Sequence, residues 1–451
     1  MEDDRWLYAL AISAVASSVA GLLVPLYLVH LGAGAAQLGV NVALASFVSA
    51  PAAILAGGYA DRTGKRSGVV LTALILAALA LTTFPFLESI AGVIVINAIL
   101  TASLAAIGPI VTMLVVGNTP EHQWSTRIAR VNTLQGYGST GGLVLGTIWM
   151  AAIGTFFTIG LTQKLLFVVA AVFGIGAAIL TYRSLPPRSD LTVGPHRSNR
   201  VATLLSRSAR HLRDDIFNFG STRMFWAIKS LSPARIMTIR QTLPQVLWMY
   251  FVAAFLFFIG FSVFWAILPI YLSRVILFDA GTIFALYLVN NIASTILYGH
   301  AGVFAGRYDI RLIQSSALGL RAIAFTAIGI IGMLGLGLIT VGSLQLLLFV
   351  AAFLGIVGVT WAFIAVTGTA IVSKFAPERT RGSILGIYAA LSAIAGTVGG
   401  LFGGWLASYA FNLAFGVAAL LVITGGGIVG IVRQLSNTQT SFISTTSEKI
   451  P

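Results

Sequence analysis

Long apolar runs recur along almost the whole chain and constrain its fold more than any other sequence feature. Each run is long enough to cross a bilayer, which takes about 20 residues. With 57% hydrophobic residues, the chain is far more apolar than a soluble protein. Because a helix satisfies all its backbone polar groups internally, the runs predict an all-α integral membrane protein with twelve transmembrane helices. They lie near 6–29, 37–60, 68–86, 90–116, 131–155, 165–182, 246–271, 282–304, 315–336, 344–372, 383–407 and 412–432.

Positive charge is distributed unevenly between alternate loops. An even number of spans places both termini on one side, and the loops on that side carry most of the arginine and lysine. The opposite loops contribute only Lys164 and Arg274. By the positive-inside rule, both termini are predicted to be cytoplasmic, in a multi-pass protein of the cell (cytoplasmic) membrane. The net charge of +14 therefore reports topology, and no nucleic-acid partner is expected.

The spans divide six and six around a basic linker. We expect an N-terminal half at 1–182, a linker at 183–245, a C-terminal half at 246–432 and a disordered cytoplasmic tail at 433–451. Apolar residues recur at helical spacing within 201–219, opposite several arginines. This pattern fits an amphipathic helix on anionic lipid headgroups, and a solvated linker is the alternative.

The two halves repeat one another. "LVPLYL" at the end of the first span matches "ILPIYL" at the end of the seventh, which pairs Pro25 with Pro269 and Tyr27 with Tyr271. "GGYADRTGKR" is matched by "GVFAGRYDIR" in the corresponding hairpin. Parallel repeats of this kind are typical of transporters that bind their substrate between the halves.

The loop after the second span carries the most specific motif, Gly57-x-x-x-Asp61-Arg62-x-Gly64-Lys65-Arg66. It resembles the signature loop of the major facilitator superfamily, and the twelve spans and basic linker fit the same family. The resemblance covers nearly the whole chain and implies that family's fold.

In that family the loop latches the cytoplasmic ends of the two halves together. The resemblance implies that Gly57 lets the second helix approach the eleventh and that Asp61 lies at a helix N-terminus, where the dipole favours a carboxylate. Arg62 and Arg66 would pair with acidic residues, for which Glu121 and Glu378 are the candidates. The alternative is that the basic residues only anchor topology. A second copy, which lacks the acidic residue, comprises Gly302, Gly306, Arg307 and Arg311.

Glycines repeat every four residues in the fifth and eleventh spans, at 138, 142 and 146 and again at 396, 400 and 404. This spacing predicts close helix packing. The fifth-span series resembles a motif of the family's drug antiporters, but Leu143 replaces its proline.

Charge is sparse inside the predicted spans, and no Asp or Glu lies in the middle of one. His300 is the candidate proton site, and Arg321 is expected to snorkel to the cytoplasmic interface. By analogy with the family, a mildly polar, uncharged cavity is expected between the halves. Its candidate residues are Ser17, Ser18, Ser103, Gln135, Trp265, Asn290, Asn291, Thr360, Trp361, Tyr388 and Ser392.

These features predict a monomeric secondary transporter that moves a small neutral or amphipathic organic solute by alternating access. Export is favoured over uptake of a neutral solute such as a sugar, and a non-transporting receptor or assembly factor is the alternative outside transport. No cofactor or metal is expected. No catalytic constellation is apparent, so the chain is not expected to be an enzyme.

Overall fold

The computed structural model describes residues 5–117, 124–184, 244–334, 343–376 and 381–447. Within these ranges every regular element is helical, and a short 3-10 helix, Phe84–Phe86, follows the third long helix. The long helices are α1 Arg5–His30, α2 Ala35–Thr63, α3 Arg66–Thr83, α4 Ile90–Gly117, α5 Trp124–Ile153, α6 Ile159–Ser184, α7 Gln245–Arg274, α8 Ala280–Arg307, α9 Ile310–Leu334, α10 Leu344–Phe375, α11 Arg381–Tyr409 and α12 Phe411–Ser447.

The helices confirm the predicted all-α membrane architecture. Over the described residues, 11 helices are long and apolar enough to cross a membrane. The twelfth long helix, α5, begins with a polar segment that includes Arg127, Arg130 and Gln135, but it packs along α1 like its neighbours. The chain is therefore a multi-pass membrane protein.

The two sets of six helices pack in the same pattern. In the first set, α1 packs on α5 and α6, and α4 packs on α2 and α3, while α3 also contacts α6. In the second set, α7 packs on α11 and α12, and α10 packs on α8 and α9, while α9 also contacts α12. Each contact of one set has its counterpart six helices later, as an internal repeat requires.

The paired tyrosines of the repeat make equivalent contacts. Tyr27 of α1 donates a hydrogen bond to the carbonyl of Leu87 at 2.7 Å, and Tyr271 of α7 donates one to the carbonyl of Ile328, also at 2.7 Å. The Tyr27 ring lies edge-on to Phe167 of α6, and the Tyr271 ring lies edge-on to Phe415 of α12. The repeat is thus conserved in packing as well as in sequence.

The short turn between α2 and α3 depends on a glycine. Gly64 has φ = 69°, in the left-handed region, and its amide donates to the carbonyl of Ala60 at 3.0 Å to close the end of α2. Glycine adopts this conformation without the steric strain that a Cβ introduces.

The structure bears on one of the two segments predicted outside the spans, the C-terminal tail, and does not describe the other, the linker helix. α12 continues as a helix to Ser447, so most of the 433–451 segment predicted as a disordered tail is helical. The amphipathic helix predicted within the 183–245 linker lies outside the described residues.

Candidate functional site

The two halves meet along two helix pairs related by the repeat. α2 of the first half packs on α11 of the second, and α8 of the second half packs on α5 of the first. α1 and α7 also meet across the centre. Helices α3, α6, α9 and α12 pack mainly within their own halves, on the periphery.

The α2–α11 contact is a backbone-to-backbone approach through glycines. A Cβ on Gly404 would lie 2.6 Å from the carbonyl oxygen of Ala35 and 2.7 Å from the Cα of Gly39. A Cβ on Gly400 would lie 2.9 Å from the backbone nitrogen of Ala43. This confirms the close packing predicted from the four-residue glycine spacing. It lies towards the predicted external end, where α2 begins and α11 ends.

The α5–α8 contact closes the same end. The ring of Phe284, which is fully buried, occupies the space beside Gly146 that a side chain there would need. Nearer mid-depth, the hydroxyl of Thr140 donates to the amide oxygen of Asn291 at 3.0 Å. Between α1 and α7, Nη2 of Arg274 donates to the carbonyl of Val29 at 3.1 Å. These contacts form a seam between the halves at the predicted external end.

A central cavity of about 390 Å³ lies beneath this seam, between the two halves. Its volume is in the range of sites that hold a small organic molecule. Seven of the eleven residues predicted to line a cavity do so: Ser17, Ser18, Trp265, Asn290, Asn291, Trp361 and Ser392.

The other four predicted residues lie outside the cavity lining. Ser103 and Thr360 are buried, and each returns its hydroxyl to a carbonyl of its own helix, those of Ile99 and Val357 respectively. Tyr388 is buried against aromatic rings, with its centroid 6.0 Å from that of Tyr250. Gln135 is half-buried and is not a lining residue.

The cavity also has polar walls that the sequence analysis missed. Nδ2 of Asn97 on α4 donates to Oδ1 of Asn41 on α2 at 2.8 Å, and both residues are buried and line the cavity. Ser46, Ser49 and Thr101 line it as well. A lone asparagine in the middle of an apolar run is the signal that could have found Asn41 and Asn97, since an amide in lipid needs a partner.

Arg321 is the largest departure from expectation. The sequence placed it on a peripheral helix and predicted snorkelling to the interface, but its side chain is only 1% exposed and lines the cavity. Its guanidinium carbon lies 4.2 Å from the ring centroid of Phe261 on α7 and 5.3 Å from that of Trp361 on α10. The side chain is long enough to reach inward from α9 past these two helices. The expectation of an uncharged cavity is therefore wrong.

The structure describes only part of the predicted latch. Gly57 is buried and Gly64 forms the turn, whereas the side chains of Asp61 and Arg62 lie outside the described residues. Arg66 is 6% exposed, and its Nε and Nη1 have no hydrogen-bond partner among the described residues.

The proposed latch partners Glu121 and Glu378 also fall outside the described residues, so the latch stays a prediction. A close approach of α2 to α11 is observed at Gly39 and Gly404, and the predicted approach at Gly57 stays a prediction.

The second copy of the motif contains a carboxylate two residues after its arginine. Asp309 accepts from Nε and Nη2 of Arg311 at 3.0 and 2.9 Å, and from Nε of Arg433 on α12 at 3.2 Å. Burial raises the pKa of Asp309, but the hydrogen bonds and charge of Arg311, with help from Arg433, outweigh it and lower the pKa to about 2. Arg307 and Gly306 are exposed and Gly302 is half-buried. Arg311 is therefore paired within its own half.

His300 does not lie in the cavity. It is an exposed residue of α8, and its Nδ1 lies 3.4 Å from the carbonyl oxygen of Ile296, one turn earlier. Its role as a proton site stays a prediction with no support from the cavity geometry.

Comparison with known proteins gives one family and one fold. The sequence matches the profile of the Major Facilitator Superfamily over residues 6–350. No curated protein matches the chain at the level of sequence.

Three solved transporters have a similar fold at low sequence identity. The human organic anion transporter MFSD10 (TETRAN) is 16% identical with a TM-score of 0.54, and the match covers 94% of this chain and 98% of that one. The nucleoside transporter NupG is 12% identical with a TM-score of 0.66, covering 96% and 98%. The POT family transporter PepTSo is 11% identical with a TM-score of 0.67, covering 97% and 98%. The profile match over most of the chain, with its two repeated six-helix halves around a central cavity, shows that this chain belongs to the Major Facilitator Superfamily.

Proposed function

We propose that the chain is a secondary transporter that moves a small organic solute through the central cavity by alternating access. The observation that carries this proposal is the position of the cavity, which takes polar side chains from both halves and lies beneath one seam. Ser18 and Asn97 come from the first half, and Asn290 and Trp361 from the second. A site shared in this way changes its access when the halves rock against each other.

The seam supports a rocking motion. Its contacts are short-range packing between helices of opposite halves, as at Gly404 with Gly39 and at Gly146 with Phe284, and two hydrogen bonds. Contacts of this kind separate as a unit when two rigid bodies rotate, because each half keeps its own internal packing. The signature loop, with Asp61 and Arg66, would hold the predicted cytoplasmic ends of the two halves together when the predicted external end is open.

The solved relatives support transport as a class of function. The first two are named as transporters of an organic anion and of nucleosides, and the third is named as a transporter of the POT family. We take export by a monomer with cytoplasmic termini as the working hypothesis, with uptake as the alternative direction.

Alternating access can be tested by single-cysteine labelling, because the chain has no cysteine. Ser49→Cys and Leu38→Cys place thiols at the two ends of the cavity lining in α2. In oriented vesicles, an impermeant maleimide added from the cytoplasmic side should label position 49, and label added from outside should reach position 38. Conditions that increase one reaction should decrease the other.

Thr155→Cys, in the exposed segment after α5, provides the control for external labelling. Its reactivity should not change when the other two thiols change. If no ligand and no substitution in the seam ever raised labelling at one of positions 38 and 49 while lowering it at the other, a non-transporting scaffold would be favoured.

A further inference from the structure

Arg321 carries a positive charge into the cavity that the described residues leave without a counter-ion. It lies 11 residues after the start of α9, about 16 Å along the axis at 1.5 Å per residue, and so near mid-depth. No Asp or Glu is among the described residues that line the cavity, and no described carboxylate forms an ion pair with Arg321.

The hydrogen bonds of the guanidinium are also incomplete. Nη1 donates to the carbonyl of Val357 at 3.3 Å, which is slightly longer than the usual N–H···O range. Nε is buried and has no hydrogen-bond partner among the described residues. A guanidinium has five N–H donors in a fixed planar arrangement, so this leaves capacity for a further acceptor.

The surrounding rings compensate for only part of the missing counter-charge. Besides Phe261 and Trp361, Phe325 lies under the guanidinium at 5.5 Å. The ring faces attract the cation, but they lie over the guanidinium and provide no acceptors for the N–H donors in its plane. The rings instead hold the guanidinium plane in place, so that its remaining donors have a defined direction.

The rest of the cavity wall indicates the remainder of the ligand. Phe258, Trp265 and Tyr287 line it and provide flat apolar surface. The amide oxygen of Asn290, a buried lining residue, has no hydrogen-bond partner among the described residues. One cationic group beside several aromatic and aliphatic side chains matches a molecule with one acidic group and an apolar body.

We infer that the cavity binds an organic monoanion, with its carboxylate on Arg321 and an aromatic or aliphatic body against Phe258, Trp265 and Tyr287. This rests on the proposed function, since it names the solute class of the same site. It replaces the preference for a neutral solute, which depended on an uncharged cavity. A single guanidinium also disfavours dianions, because their second charge would have no partner.

The test uses the purified full chain and pairs of probes that differ only in charge. Benzoate, phenylacetate and 4-phenylbutanoate are each compared with the corresponding amide, by thermal stabilisation and by equilibrium binding. At least one acid should bind about tenfold or more tightly than its amide, as expected when a charge-assisted hydrogen bond is lost. Equal binding of every acid and its amide would overturn the inference without any variant being needed.

Two substitutions then assign the effect to the residue. Arg321→Gln should remove the preference for the acid, and Arg321→Lys should retain part of it, because lysine keeps the charge but loses the planar fork. Lys164→Gln removes a cation that lies outside both the cavity and the seam, and it should leave the preference unchanged. An acid preference that survives in Arg321→Gln would place the anion site elsewhere.

Failure of this inference is distinguishable from failure of the proposed function. If the cysteines at 38 and 49 alternate in accessibility but only neutral probes bind, the chain is a transporter of neutral solutes and the anion inference is wrong. If an acid binds at Arg321 but accessibility never alternates, the site is a receptor site and the transport proposal is wrong.

Discussion

The ring of Phe284 on α8 fills the space beside Gly146 on α5, and these two residues belong to opposite halves of the molecule. The same relationship recurs on the other side of the cavity, where Gly404 on α11 meets Gly39 on α2. In both places a missing side chain lets the halves touch. The seam is therefore a contact that larger side chains would oppose.

Gly146→Val should shift the protein away from the conformation with a closed external end. Overpacking at such a contact destabilises by about 1–3 kcal/mol, which changes the ratio of closed to open molecules roughly 5- to 150-fold. The measurement is the rate at which an impermeant maleimide labels Leu38→Cys from outside, which should rise. Gly141→Val is the control, because a Cβ at Gly141 on the same helix meets nothing within 4 Å. An equal rise in both variants would contradict the prediction.

Arg274→Gln should weaken the same seam by a smaller amount. Its guanidinium bonds to the Val29 carbonyl across the halves at 3.1 Å, but the residue is exposed, so we expect a loss of about 0.5–1.5 kcal/mol. The same external labelling assay measures the effect. Lys164→Gln is the control, since Lys164 pairs with Glu88 of its own half, at 3.4 Å. External labelling that rises as much for Lys164→Gln would show that charge, rather than the seam contact, is responsible.

Asn41 and Asn97 should be energetically coupled. Removing either amide leaves the other buried without its partner, and hydrogen bonds between membrane helices are worth about 0.6–1.7 kcal/mol. A double-mutant cycle of Asn41→Ala and Asn97→Ala, followed by thermal unfolding in detergent, should give a coupling energy in that range. Pairing Asn41→Ala with Ser392→Ala, in the other half, should give additive effects. Additivity within the Asn41–Asn97 cycle would show that the bond contributes nothing.

Asp309 should stabilise the fold in a pH-dependent way. Arg311 and Arg433 lower its pKa from 3.8 to about 2. Its contribution to the free energy of unfolding is therefore full above pH 3.8 and is lost as the pH falls towards 2. Asp309→Asn should therefore lower the melting temperature at pH 7 by a few degrees, and the gap to the wild type should narrow below pH 3.8.

Glu88→Gln is the control for this prediction. The Glu88 side chain is 82% exposed, and exposed ion pairs contribute little. If the difference in melting temperature between wild type and Asp309→Asn stayed constant down to pH 2, the pairing with arginine would not lower the pKa of the Asp309 carboxylate.

The repeated helix arrangement could be predicted because its signals are local. Apolar runs of spanning length, the paired "LVPLYL" and "ILPIYL" segments and the turn at Gly64 each depend on neighbouring residues. Seven cavity residues followed from the family resemblance, which indicated the cavity-lining helices, and from the polar or aromatic side chains on them. The prediction that Ser103 and Thr360 line the cavity was wrong. The depth of a residue in the membrane does not show which way its side chain faces, and hydroxyl groups often donate to a carbonyl of their own helix.

By itself the sequence determined the number and order of the spans, the division into two halves and the glycine faces that pack closely, because these follow from hydropathy and side-chain size along one helix. Only the tertiary structure decided which polar groups share the cavity. Arg321 belongs to a peripheral helix, and it enters the site because α7 and α10 leave a path lined by Phe261 and Trp361. That path depends on how three helices pack together, and no single stretch of the chain encodes it.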